Sequence, residues 1–219
     1  MVAITTSFAN NITTSGVFKA SAFNNSSFDN VTSVAEGAVE SGNMKLLTTS
    51  TFTNQSSVAF TSGIDSTYKE YQFYIVNIDV DTNGAALTWQ ASTDGGSNYG
   101  VTVTNSYSQN YINEAGTTGG SFGYVTVRDL AQSTAEIKLN DGINNDADSS
   151  SVGVVKLFNP SSTTYIKHYI AENTTMWDLP GPMTAYTAGY FNTTNAINAV
   201  RFKASGGNIT GTILMYGIL

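Results

Sequence analysis

The last twenty residues, Val200–Leu219 (VRFKASGGNITGTILMYGIL), constrain the fold most. In the first part Val200 and Phe202 face one way, and Arg201 and Lys203 the other. Ser205-Gly206-Gly207-Asn208 then turns the chain. The return, with Ile209, Ile213, Leu214, Met215 and Tyr216, is apolar on nearly every residue. A strand apolar on both faces belongs in the middle of a packed sheet. The chain is therefore expected to close with a hairpin inside its own core.

A second strand of the same kind runs over Tyr71–Asp79, with Tyr71, Phe73 and Ile75 opposite Tyr74, Val76 and Ile78. Asp81-Thr82-Asn83-Gly84 follows as a hairpin turn, since Asn-Gly suits positive φ. Beyond it Ala86–Thr93 alternates as a strand, with Leu87, Trp89 and Ala91 to one side and Thr88, Gln90 and Ser92 to the other. Further strands are expected at 44–49, 56–61, 99–104, 125–130, 135–139, 152–158, 164–170 and 185–191. Residues 105–120 read as a loop, 172–184 as a loop crossing between sheets, and 140–148 as an exposed acidic loop. Short strands at this spacing, with almost no amphipathic helix, indicate an all-β antiparallel sandwich or jelly roll over 44–219.

Residues 1–43 have another texture. Phe8, Ile12, Phe18, Phe23, Phe28 and Val31 stand apart in a polar background with no sustained period. They read as an extended N-terminal arm for subunit or particle attachment, with Phe8, Phe18, Phe23 and Phe28 as contacts. A leader without fixed structure is the alternative.

Composition narrows function. Only 11% of residues are charged and the net charge is −7, so Ser, Thr, Asn and Gly carry the surface. Such a surface suits fixed contacts with neighbours. Nine scattered Lys and Arg make no nucleic-acid groove. No basic amphipathic helix, membrane-length apolar run or signal peptide is read. Without cysteine there is no disulfide, thiolate nucleophile or Cys-based zinc site.

Candidate chemistry is thin. His168, the one histidine, lies in a strand, and no Gly-x-Ser-x-Gly elbow accompanies it. Asp79, Asp81, Asn83 and Gly84 open like a calcium loop, but Gln90 stands at the twelfth position and a hairpin turn explains the same residues. Asp141, Asp146 and Asp148 offer three carboxylates on what otherwise reads as a solvated loop. Glu70, Glu114, Asp129, Glu136 and Glu172 show no pairing of the kind glycoside hydrolysis needs. Tyr107, Tyr111, Phe122 and Tyr124 would make a sugar-stacking face, or else core and subunit contacts. No catalytic residue, cofactor or metal is expected.

GNITGTILMYGIL, FNPSSTTYIKHY, VRDLAQST and YQFYIVNIDVDTNGAALTWQASTDGGSNY together resemble virion proteins of marine tailed bacteriophages, such as those of marine cyanobacteria and abundant ocean heterotrophs. The likeness runs over about 44–219, and more loosely over FNNSSFDNVTS in the leader. These are sheet and turn segments, so the resemblance implies a fold and a setting but transfers no functional residue. It implies a non-enzymatic structural protein of the virion, namely a surface-displayed capsid decoration or accessory subunit. The alternative is a tail-fibre or receptor-binding domain recognising host surface glycans. Either way the expected partners are other copies, as a homotrimer, and other virion proteins.

Overall fold

The computed structural model describes residues 43–219. The expected arm, including Phe8, Phe18, Phe23 and Phe28, lies outside them apart from Asn43.

Among the described residues thirteen strands follow one another: β1 Met44–Gln55, β2 Val58–Phe60, β3 Glu70–Val80, β4 Leu87–Ser92, β5 Val103–Ile112, β6 Gly119–Tyr124, β7 Leu130–Ser133, β8 Ile137–Lys138, β9 Ser151–Phe158, β10 Lys167–Met176, β11 Pro182–Phe191, β12 Ala199–Ala204 and β13 Ile209–Ile218. They form an antiparallel β-sandwich. The large sheet has the order β1-β13-β3-β9-β10-β11-β5-β6, with β7 also on β5, and the small one β2-β12-β4-β8.

Aromatic side chains join the sheets. Trp89 of the small sheet is fully buried and meets Tyr169 and Phe191 of the large sheet edge-on, at 5.0 and 5.3 Å between centroids. Phe202 stacks on Trp89 and reaches Phe73 at 5.5 Å, and Phe60 closes the group 5.4 Å from Phe73. Such rings each bury well over 100 Å², and edge-to-face pairs add about 1 kcal/mol apiece.

The closing segment does not form a hairpin. β12 pairs with β2 and β4, whereas β13 pairs with β1 and β3. Ser205–Asn208 therefore carries the chain from one sheet to the other. Asp81–Gly84 does the same between β3 and β4, so the expected hairpin there is also a crossing. The two crossings hold each other. Asn208 N–H donates to Asp81 Oδ1 at 2.9 Å, and Asp81 N–H donates to the Asn208 carbonyl at 3.2 Å. Gly207 sits at φ +72°, and a Cβ there would fall on the Asp81 carboxylate.

Other expectations shift as well. The pair at 44–49 and 56–61 is one long strand, β1, followed by a short one in the other sheet. Residues 105–120 hold most of β5 and the start of β6, because Ser, Asn and Gly positions there are carried by ladder pairing with β11. Residues 126–128 are a 3-10 turn within the expected 125–130 strand. The stretch 172–184 is a β10–β11 hairpin within one sheet.

Candidate functional site

Alternation along the large sheet gives it two faces. Tyr71, Phe73, Ile75, Val155, Tyr169 and Ile213 point inward and are buried. Their neighbours point outward. Leu46, Tyr74, Val76, Val152, Ile170 and Tyr186 remain between 36% and 51% exposed. The outer row is continuous through the register: Leu214 lies opposite Tyr74, Tyr74 opposite Val154, Val154 opposite Glu172, and Glu172 opposite Tyr186. Tyr74 packs on Tyr216 at 5.4 Å and Phe122 on Tyr186 at 5.5 Å. The polar groups are held within the face: Tyr186 donates to Glu172 at 3.1 Å and Tyr74 to Gln72 at 3.0 Å. The glutamate beside Tyr186 raises the hydroxyl pKa of that tyrosine.

The four flagged aromatics do not share a surface. Tyr107 is fully buried, so it belongs to the core. Burial pushes its hydroxyl pKa up, with the Asp141 charge adding to the shift. Phe122 and Tyr124 stand exposed at the β6 edge, and Tyr124 donates to Asp129. Tyr111 is half-buried against Trp177, with centroids 4.6 Å apart and planes at 59°.

Trp177 marks a cleft within a stretch whose sequence has the composition of a loop. Two hairpin ends form it, 113–118 between β5 and β6 and 177–181 between β10 and β11. Glu114 N–H donates to the Pro180 carbonyl at 2.9 Å, and Trp177 N–H donates to the Gly181 carbonyl at 2.9 Å. Gly181, at φ +153°, lies so close to the Ile112 carbonyl that no side chain fits. Asn113 Oδ1 accepts the Thr117 and Thr118 N–H groups, both at 2.9 Å, and sets the turn. The cleft holds about 550 Å³ between Asn113, Glu114, Thr118, Trp177 and Leu179. The signal in the sequence was a tryptophan leading into Leu-Pro-Gly-Pro, a rigid turn that keeps a large ring at the surface.

Most other candidate groups are already engaged. His168 is exposed on the outer face, 6.0 Å from the Tyr190 ring. Asp79 caps Val80 N–H, Asp81 binds the Ser205–Asn208 turn, and Asn83 accepts Asn145 N–H at 3.2 Å. Asp141 pairs with Arg128 at 2.6 Å and with Lys138 at 3.4 Å, while Asp146 and Asp148 point to solvent. The acidic loop is less exposed than expected, because Asn140, Ile143 and Asn144 are buried in it. Among the described residues no three of His, Asp and Glu gather as metal ligands would. Glu136 pairs with Arg201, whose guanidinium lies 4.4 Å over the Tyr99 ring. Glu70 accepts from Gln72, Glu172 from Tyr186, and Asp129 from Tyr107 N–H. Of the acids read outside the turns, Glu114 alone has no partner for its carboxylate among the described residues.

No protein-family model, no curated protein and no solved structure matches the chain.

Proposed function

We propose that the chain is a non-enzymatic structural subunit of a tailed-phage virion, displayed on the particle surface as a capsid decoration or accessory protein. It works as a homo-oligomer, a trimer, against other virion proteins. The observation that carries this reading is the outer face of the large sheet. Eight strands lie abreast. At about 4.8 Å per strand and about 3.3 Å per residue they present a face on the order of 1,000 Å². One side of a standard protein interface covers about 800 Å². Leu46, Tyr74, Val76, Val152, Ile170 and Tyr186 stand exposed on this face among polar residues such as His168 and Glu172, the mixed composition of a non-obligate protein interface. The weakly charged surface and the likeness to marine phage virion proteins point the same way.

The test is a reconstruction of particles that carry the chain. Density for the sandwich on the icosahedral shell supports the reading. Density at the tail alone replaces it with a fibre role, and absence of the chain from purified particles overturns it.

A further inference from the structure

We propose that the cleft beneath Trp177 is a binding site for a neutral hexopyranose at the end of a glycan. The inference rests on the cleft alone and does not depend on a place in a virion.

A pyranose has one face rich in C–H groups and a rim of hydroxyls. It needs a flat apolar surface, with a few fixed polar groups at its edge. Trp177 supplies the surface. It is half-buried, and Tyr111 braces it at 4.6 Å, so little side-chain freedom remains to be lost on binding. The residues that line the cleft also carry polar groups with no protein partner among the described residues: the Glu114 carboxylate, the Thr118 hydroxyl and the Trp177 indole N–H. A carboxylate accepts from two neighbouring hydroxyls at once, and a threonine hydroxyl both gives and takes. The scaffold is rigid where it must be. Asn113 fixes the 113–118 turn, and the Glu114–Pro180 hydrogen bond ties it to the other hairpin.

Charge selects among ligands. Among the described residues no Lys or Arg lines the cleft. Glu114 puts a carboxylate in its lining, and the whole chain carries −7. Sialic acids, uronic acids and phosphates are therefore disfavoured. An organic cation is the other ligand class that an aromatic ring and a carboxylate serve, but it is held by aromatic faces on several sides. Among the described residues Trp177 is the sole aromatic lining this cleft. A single sugar unit held on one ring sets a dissociation constant on the order of 1 mM.

The chain has two tryptophans, and Trp89 is fully buried. Quenching of indole fluorescence by acrylamide therefore reports on Trp177. The full chain is titrated with methyl α-D-mannopyranoside, methyl α-D-glucopyranoside and methyl β-D-galactopyranoside, then with N-acetylneuraminic acid and choline. Saturation-transfer NMR of each probe runs in parallel. The expected result is that at least one neutral glycoside protects Trp177 from quencher and saturates. Trp177→Ala abolishes the NMR signal, and Glu114→Gln weakens binding about tenfold or more. Tyr165→Ala, at an exposed ring elsewhere, changes nothing. Thermal melts confirm that each variant folds, and Trp177→Phe, which keeps an aromatic face, retains part of the affinity. No protection by any neutral glycoside up to about 50 mM, well above the expected constant, overturns the proposal. So does preference for choline or for the anionic sugar, or binding that survives Trp177→Ala. Failure here leaves the structural-subunit reading intact, and absence from particles leaves the sugar site intact.

Discussion

Asn140 is the place where one substitution should separate the two sheets. Its side chain is fully buried. Oδ1 accepts Leu87 N–H, in the small sheet, at 2.9 Å. Nδ2 donates to Asn173 Oδ1 at 3.0 Å and to Ser151 Oγ at 3.2 Å, both in the large sheet. One amide thus bridges the layers at the root of the 141–149 loop. Asn140→Ala leaves the Leu87 N–H buried without a partner, which costs about 1–3 kcal/mol, and removes two further hydrogen bonds worth about 1 kcal/mol each. Ser151 and Asn173 keep their own bond at 2.8 Å, which softens the loss. A net cost of about 3 kcal/mol is expected. At about 2–4 °C per kcal/mol for a chain of this size, the midpoint of thermal unfolding should fall by about 6–12 °C. Asn140→Leu, which fills the space without restoring the bonds, should be destabilised to a similar degree. Asn140→Asp keeps the Leu87 bond but sets a carboxylate against the Asn173 carbonyl oxygen. The introduced carboxyl favours its protonated form when folded, so that variant should be most stable below about pH 4 and lose stability as pH rises. Calorimetry or circular-dichroism melts measure all three. A midpoint within about 2 °C of the parent for Asn140→Ala would refute the bridge.

Three further outcomes follow from the same structure. Burial pushes the Tyr107 and Tyr169 hydroxyls up, so the unfolded chain ionises first above about pH 10. Their stability is full below that pH and falls by about 2.7 kcal/mol per pH unit once the unfolded tyrosines are ionised. Burial pulls Lys167 down, an opposite and single contribution that ends near the ordinary lysine pKa of about 10.4. Denaturant midpoints that stay flat from pH 10.5 to 12 would contradict this, and Tyr169→Phe, which removes a buried hydroxyl without a partner, should lessen the slope at no cost near neutrality. Gly207→Ala should destabilise by about 2–4 kcal/mol, through its positive φ and the contact with the Asp81 carboxylate. Gly206→Ala, with open space at its Cβ, should be near neutral; equal melts for the two would show that the crossing turns are not coupled. Ile170→Glu, at a site 51% exposed, should lower the oligomer mass seen by light scattering without moving the melt of the monomer. A parent chain that stays monomeric at about 100 µM, far above the Kd of a standard interface, would rule out self-association through this face.

Local alternation was legible in the chain, and pairing was not. Trp89 with Leu87 and Ala91, and Phe202 with Val200, were legible as inward residues because period-two patterning is a property of a few neighbours. Which strand each residue pairs with is not local. Asp81-Thr82-Asn83-Gly84 and Ser205-Gly206-Gly207-Asn208 have the composition of hairpin turns, and here they cross between sheets instead. Both tasks need positive φ and small polar residues, so composition cannot separate them; the deciding contact, Asp81 with Asn208, spans 127 positions. The cleft was hidden for a related reason, because Trp177 and Glu114 come from two hairpins far apart in the chain. The doubly apolar strands had a clearer physical content than a place in the middle of a sheet. Phe73 and Met215 are buried against the small sheet, as one apolar face requires. On the other face Tyr74 and Val76 stay more than a third exposed. A strand covered on one side alone needs only alternation. Apolar residues on the second side of β3, and again at Val152, Ile170 and Tyr186 across three more strands, therefore call for a second cover. The described residues do not provide one, and that is the physical ground for seeking a partner on this face.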